Sequence, residues 1–479
     1  MDTAMRIALI VGGVLIVGLV AVGLFVYGYL QRDVPERHAE IQGHFKYGSI
    51  GADSEAGVPY WIWRVLPRVF PEYLPGRPGE GYARMGFIYE TPQSDRPIGT
   101  SLRERPIGLV GLNCAVCHTG VVQDAPGAQP QIILGMPAHQ FDLESYFRFL
   151  FACARDDRFN PDTLLAAIRQ ENPSFPWYES LIYRYVAIPR TKDALNKRAA
   201  DLAPLEQRPR FGPGRVDTFD PYKIHFGLDV QTDTTVGTAD LPSLWNQRPR
   251  QGLWLHWDGN NNLVQERNIS AALGAGATEE SLDHPSLERI ANWIWDLQPP
   301  QFPRDRIDPA RAAAGQGIYQ AECASCHAFD GPNVGQVTPI GEIGTDPERL
   351  NSFSPELAVK MNTYGTGRPW QFSHFRKTDG YANMPLDGVW LRAPYLHNGS
   401  VPTLRDLLEP PERRPAVFSR GHPVYDYANV GFVTGGPEAE RTGFRYDTGV
   451  RGNSNRGHLY GTALGPEEKQ ALLEFLKTL

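Results

Sequence analysis

The chain has 479 residues, a formal net charge of -7, 41% hydrophobic and 21% charged residues. That length suggests two or three domains at about 150 residues each, and the apolar content is ordinary for a globular protein. The charge gives no reason to expect nucleic acid or an anionic membrane surface as a partner, and five cysteines are too few for a disulfide scaffold of this size.

In chain order, the first feature is an uncharged run, Ile7 to Leu30. About 20 apolar residues cross a bilayer, whereas a secretory apolar core spans only about 7–15 residues and ends at a small-residue cleavage site. Gln31 to Pro35 offers no such site. The expectation is an uncleaved anchor over residues 1–32, with Tyr27 and Tyr29 at the far interface.

Two identical patterns follow. One is Cys114-Ala115-Val116-Cys117-His118 and the other Cys323-Ala324-Ser325-Cys326-His327. C-x-x-C-H is the pattern of covalent c-type haem attachment. Two thiols form thioethers with the two vinyl groups of one porphyrin, and the next residue places its imidazole under the iron. A thioredoxin-like pair does not need the His. A four-cysteine zinc site would not need the motifs so far apart, each followed by His. Cysteines and proximal histidines thus predict two covalent haem c groups. Such haem is attached outside the cytoplasm, which sets the expected orientation: a single-pass protein of the bacterial inner membrane, its bulk in the periplasm. The fifth cysteine, Cys153, lies in an apolar run and reads as a buried inert thiol.

Between the motifs, Pro285 to Leu297 carries Leu287, Ile290, Ala291, Ile294 and Leu297 on one helical face, and Pro299 to Pro303 reads as a stiff linker. Asp308 caps a helix with Pro309 in its first turn, leading into Cys323. The last helix has Ala471, Leu472, Phe475, Leu476 and Leu479 as one apolar stripe. With 48 Gly and 41 Pro, long ordered loops should surround short helices. The predicted fold is mainly α: two cytochrome c-like haem domains in tandem with long loops, over residues 33–300 and 301–479, plus one N-terminal transmembrane helix.

Tandem c-type haem domains resemble the bacterial dihaem cytochrome c peroxidase superfamily. Gly111 to His118, Gly135 to Ala138, Gly237 to Asn246, His256 to Asn260, Ala393 to Leu404 and Gly452 to His458 resemble its rubber oxygenase-like branch. The resemblance covers most of the chain after the apolar run. It implies a haem-dependent oxidoreductase, peroxidase-like or dioxygen-activating. The first haem would react and the second would exchange electrons with it and with a small donor or acceptor protein. A plain electron carrier with both irons six-coordinate is the alternative.

Axial ligands decide between these readings. For the second haem the sixth-ligand candidates are His458, His397, His374 and Met384. His458 is preferred, because its Gly- and Asn-rich loop lets backbone approach a haem and because the resemblance implies a His near the C-terminus. For the first haem, His139 falls where peroxidase relatives carry a distal His. The oxygenase-like branch instead implies an open pocket walled by Trp257 and Leu273, with His256, Glu266 or Asn268 as polar contacts. Arg105, Arg215 and Arg392 are candidate propionate partners.

Overall fold

The computed structural model describes residues 31–479 together with scattered positions between 10 and 29. In chain order, helix α1 (Ile41–Tyr47) precedes strands β1 (Thr100–Arg103) and β2 (Leu109–Leu112). Strands β3 (Thr119–Val122) and β4 (Gln131–Leu134) follow the first C-x-x-C-H motif. Helices α2 (Leu143–Arg155), α3 (Pro161–Glu171) and α4 (Ile188–Asp201) lead to β5 (Arg215–Asp217) and β6 (Thr238–Asp240). Then come α5 (Val264–Gly274), α6 (His284–Ile294) and α7 (Pro309–Glu322), the last running into the second motif. Strands β7 (Val337–Pro339), β8 (Gly380–Ala382), β9 (Val417–Arg420) and β10 (Phe444–Asp447) precede the terminal helix α8 (Pro466–Leu476).

This is a mixed helix and sheet architecture, which corrects the expected mainly-α class. The strands form small antiparallel ladders of two or three members. A ribbon follows each attachment motif: β3 pairs with β4 from Thr119↔Leu134, and β7 with β8 from Val337↔Ala382. Strands of three or four residues are too short to display a two-residue alternation, so composition alone made their segments look like loops. The expected membrane helix is corrected as well. Among the described residues, no helix is long and apolar enough to cross a membrane, and 11 of the 24 residues of the Ile7–Leu30 run lie outside those residues. The single-pass inner-membrane location falls with it.

A local plan recurs in the two halves. Thr238-Ala-Asp-Leu-Pro242 is matched by Tyr381-Ala-Asn-Met-Pro385, and Leu255-His256-Trp257 by Tyr395-Leu396-His397, with positive φ at His256 and Leu396. The first loop is closed by a bridge from Leu255 to Asn261, and the second by a bridge from Tyr395 to Val401. Gly259 and Gly399 both turn with positive φ, 63° and 64°.

The second half is clamped by α7 and α8. Asp308 Oδ1 accepts from Ala310 N at 3.0 Å and Arg311 N at 3.1 Å, satisfying two free donors of the first turn. The helices meet where α7 has no side chain: a Cβ at Gly315 would stand 2.0 Å from the Ala471 carbonyl oxygen. Tyr319 and Phe475 close the crossing with ring centres 5.0 Å apart. The apolar core beside this crossing takes in Cys323, Ala324, Trp390, Leu391, Tyr395, Leu472 and Leu476.

Candidate haem sites

At the first motif, β2 delivers Asn113 to the start of the turn Cys114–Cys117. Asn113 Oδ1 accepts from Ala115 N at 3.0 Å, and its Nδ2 donates to Lys46 O at 3.3 Å and Gly48 O at 3.0 Å. The cap sets the turn, and residues i and i+3 of a helical turn share a face, so both thiols point the same way. Burial pushes the Cys114 thiol up to about 11 and the Cys117 thiol up to about 12. His118 Nδ1 lies 2.8 Å from Pro242 O. A carbonyl can only accept, so Nδ1 carries the proton and Nε2 keeps its lone pair free for a metal.

The second site repeats the device. His327 Nδ1 donates to Met384 O at 2.7 Å, again leaving Nε2 as the metal-facing nitrogen. Met384 therefore has its backbone on the side of the ring away from that nitrogen. Opposite His327 stands His458, ring centre to ring centre 6.2 Å. Two imidazoles that bind one iron from opposite faces stand about 6 Å apart centre to centre, given metal–nitrogen bonds of about 2 Å. His458 Nδ1 is buried without a partner, and burial beside His327 holds the imidazole down to about 3. The backbone of His458 has φ +47°, uncommon for a residue with a Cβ, and its N donates to Ile343 O at 2.8 Å. Gly457 makes the approach feasible: its φ is +74°, and a Cβ there would stand 2.3 Å from the Gly344 carbonyl carbon. Arg414 fixes the loop by donating to the carbonyls of Asn455 at 2.6 Å, Gly457 at 2.9 Å and His458 at 3.1 Å. The residues present fit a c-type haem at this motif.

The loop before α5 carries the other candidates. His256 has φ +60° and an unpartnered buried Nε2, and burial with Arg267 and Arg349 nearby pushes its imidazole well below its usual range. Trp257 Nε1 donates to Asp240 O at 2.9 Å, and Trp257 O accepts from Ala382 N at 2.8 Å. Leu273 packs in one core with Cys114, Ala115 and Leu244. Glu266 turns elsewhere: its carboxylate accepts from Asn261 Nδ2 at 2.8 Å, Ser373 N at 2.8 Å and His374 N at 3.2 Å, and pairs with His374 Nδ1 at 2.9 Å. That engagement also occupies His374. Asn268 Nδ2 donates to Gln247 Oε1 at 3.2 Å.

His139 is fully buried, stacked on Phe432 with ring centres 3.7 Å apart, and neither ring nitrogen has a partner. His397 stacks on Tyr381 at 4.0 Å, its Nε2 unpartnered. The propionate candidates are all engaged: Arg105 with Asp33 at 2.9 Å, Arg215 with Asn453 at 2.9 Å, and Arg392 with Asp387 at 2.9 Å. Sequence reasoning missed Arg267, whose charge acts on both His118 and His256. It also missed the carbonyls of Pro242 and Met384. Pro242 lies inside the Gly237–Asn246 phrase, the one signal that could have pointed to it.

The comparisons with known proteins agree with this site chemistry. The family described as RoxA-like, cytochrome c-like matches residues 380–419, and that described as cytochrome c oxidase, cbb3-type, subunit III matches residues 310–385. The chain is a cytochrome c-type protein that binds covalent haem c. Protein y4iJ of Sinorhizobium fredii, described as uncharacterized, is 26% identical over 507 aligned residues, 83% of this chain and 81% of that one. The uncharacterized protein y4iM of the same organism is 31% identical over 324 residues, 58% of this chain and 73% of its own. At that identity and coverage, the chain belongs to the same family as y4iM. Among solved structures, the hydrazine synthase of Kuenenia stuttgartiensis pressurized with 20 bar xenon covers 52% of this chain and 74% of its own, at 16% identity and a TM-score of 0.27. No fold is inferred from a score that low.

Proposed function

We propose that the protein is a two-haem c-type oxidoreductase in which the site at His118 reacts with a small oxygen ligand, peroxide or dioxygen, and the site at His327 passes electrons. Bound haem supplies a one-electron couple and, where one iron position is free, a place for such a ligand. The observation that carries the reading is an asymmetry between the sites. His327 has the His458 imidazole facing it at 6.2 Å. Among the described residues His118 has no ring paired with it; the group whose charge reaches it is the Arg267 guanidinium. His458 is therefore assigned as the second ligand of the His327 site, ahead of His397 and Met384, and Leu273 with the 253–261 loop as the wall of the reactive site. Trp257 supports the division of labour. It bonds to Asp240, two residues before the Pro242 that orients His118, and to Ala382, two residues before the Met384 that orients His327. The match over residues 380–419 supports a place near the RoxA-like branch.

Electron paramagnetic resonance and absorption spectra of the oxidised holoprotein, with and without peroxide, test this. One low-spin centre and one high-spin or peroxide-sensitive centre are expected. Two low-spin centres indifferent to peroxide would establish the other reading, an electron carrier, which the unpartnered Nε2 of His256 favours. His458→Ala should convert the low-spin centre to high-spin and leave the other unchanged.

A further inference from the structure

The helix that starts at Trp177 runs through a wide turn, Tyr183–Ala187, and continues as α4. Its inner side is regular: Ser180, Tyr183, Ala187, Thr191 and Leu195 are buried. The outer side of α4 carries Arg190, Asp193 and Lys197, as a solvated helix requires. The outer side of the stretch before it carries Trp177, Tyr178, Leu181, Tyr185 and Val186, with Trp177 74% and Tyr185 73% exposed. Beyond residue 34, the other large apolar side chains exposed among the described residues stand singly, apart from the pair Leu459 and Tyr460. Single exposed side chains of this kind are ordinary, whereas a contiguous set on one face marks a contact surface.

Two observations say what covers this face. The first is its composition. Trp177, Tyr178 and Tyr185 each join an apolar body to a polar tip, and such rings settle where hydrocarbon meets water. The charges beside them are not arranged to read a protein partner. Arg184 turns to Asp162 of its own chain at 2.7 Å, and Glu179 is the one acid between residues 177 and 190.

The second is its neighbour. A path of contacts leads from the end of the uncharged Ile7–Leu30 run to this helix. Tyr29 Oη donates to Pro106 O at 3.1 Å, and Tyr60 N to Gly108 O at 2.8 Å. The rings of Tyr60, Trp61, Phe175 and Tyr183 then follow one another with centres 4.9, 5.9 and 5.4 Å apart. In agreement with that path, burial and then the Glu179 carboxylate raise the Tyr29 hydroxyl. Within the run, Ile10, Val14, Ile16, Val17, Val20 and Leu24 are 55–68% exposed. A second copy could bury one of these two apolar surfaces. A sheet of hydrocarbon takes both.

We propose that the face of Trp177, Tyr178, Leu181, Tyr185 and Val186 is a lipid-contact surface lying in the plane of a bilayer, with its rings among the headgroups and Leu181 and Val186 at the acyl boundary. The contact asks for no membrane-crossing helix. With a net charge of -7, apolar burial drives it and attraction to anionic headgroups does not, so neutral lipid suffices.

In the holoprotein haem takes up the motif cysteines, and Cys153 is buried. A nitroxide therefore labels Tyr185→Cys selectively, and the labelled protein is added to phosphatidylcholine vesicles. Power saturation by electron paramagnetic resonance reads collisions with oxygen, which concentrates in hydrocarbon, and with a water-soluble nickel chelate. Oxygen collisions should rise and nickel collisions fall several-fold on adding vesicles, while a label at Lys197→Cys keeps its aqueous values. Trp177→Ser with Leu181→Ser, its haem absorbance intact, should weaken vesicle partition by about tenfold or more; unchanged partition overturns the proposal. Aqueous values at position 185 in vesicle-bound protein assign binding to the apolar run alone and overturn it too, as does protein that stays out of the vesicle pellet. Collisions with both reagents already suppressed before vesicles are added would place a second copy on this face, which also overturns it.

Discussion

Asn113 does two jobs with one side chain. It caps the Cys114–Cys117 turn through Ala115 N and ties that turn to the end of α1 through the carbonyls of Lys46 and Gly48. Asn113→Ala should lower stability by about 1–2 kcal/mol, read as a shift of the denaturant unfolding midpoint. His44 lies in the same helix, buried, with its Nε2 unpartnered; burial holds its imidazole down to about 4. A depressed histidine stabilises the fold above its unfolded value near 6.5, and that stability is lost as pH falls toward 4. Unfolding followed from pH 7 to pH 4 should lose on the order of 3 kcal/mol from this group, and His44→Gln should flatten that part of the profile; an unchanged profile excludes His44 as the source. At this scale the sequence was informative where chemistry dictates spacing, as in Cys114, Cys117 and His118. It was silent on Arg267 and on Pro242, because the His118–Pro242 bond joins residues 124 positions apart and no local pattern encodes it.

At the scale of elements, the crossing of α7 and α8 governs the second site, because α7 runs directly into Cys323 and α8 follows the loop of His458. The contact at Gly315 is backbone to backbone, with no room for a methyl group beneath the Ala471 carbonyl. Gly315→Ala should part the helices and cost about 1–3 kcal/mol as overpacking does. The accompanying signature is a weakened low-spin spectrum of the His327 site with the His118 site unaffected; equal perturbation of both would show that the crossing is not local to one haem. These helices were legible: Asp308, Pro309 and the stripe of Ala471, Leu472 and Leu476 are strong local signals, and all three stripe residues are buried. The ribbons after each motif were not. β7 and β8 have three residues each, and Gly380 lies so close to the Thr338 carbonyl oxygen that a Cβ would stand 1.8 Å from it. Such a strand is specified by its partner's proximity and not by its own alternation.

At the scale of the whole molecule, the seam read at Pro299 to Pro303 separates two stretches of sequence that the fold locks together. Buried ion pairs cross it: Asp240 to Arg420 at 2.5 Å, Asp258 to Arg349 at 2.6 Å, and Arg250 to Asp387. His139 of the first stretch stacks on Phe432 of the second, and Asp240 N donates to His397 O at 2.8 Å. None of this was visible in the sequence, since each charge reads as solvated surface until its partner is known. The consequence is cooperativity. A buried pair adds little over an apolar pair of the same shape, but removing one partner leaves an uncompensated charge and costs about 3–5 kcal/mol. Asp258→Ala should therefore destabilise both halves at once, because Arg349 is left buried over the Phe219 ring, 4.6 Å from its centre. Calorimetry of the holoprotein should show a single transition displaced to lower temperature, and the absorbances of both haems should change together. Two separated transitions would show instead that the halves unfold independently. The double variant Asp258→Asn, Arg349→Met, which removes both charges, should recover most of the loss. Recovery would tie the effect to the orphaned charge and not to the shape of the site, and with it the coupling through which Trp257 and its two hydrogen-bonded strands hold the haem sites together.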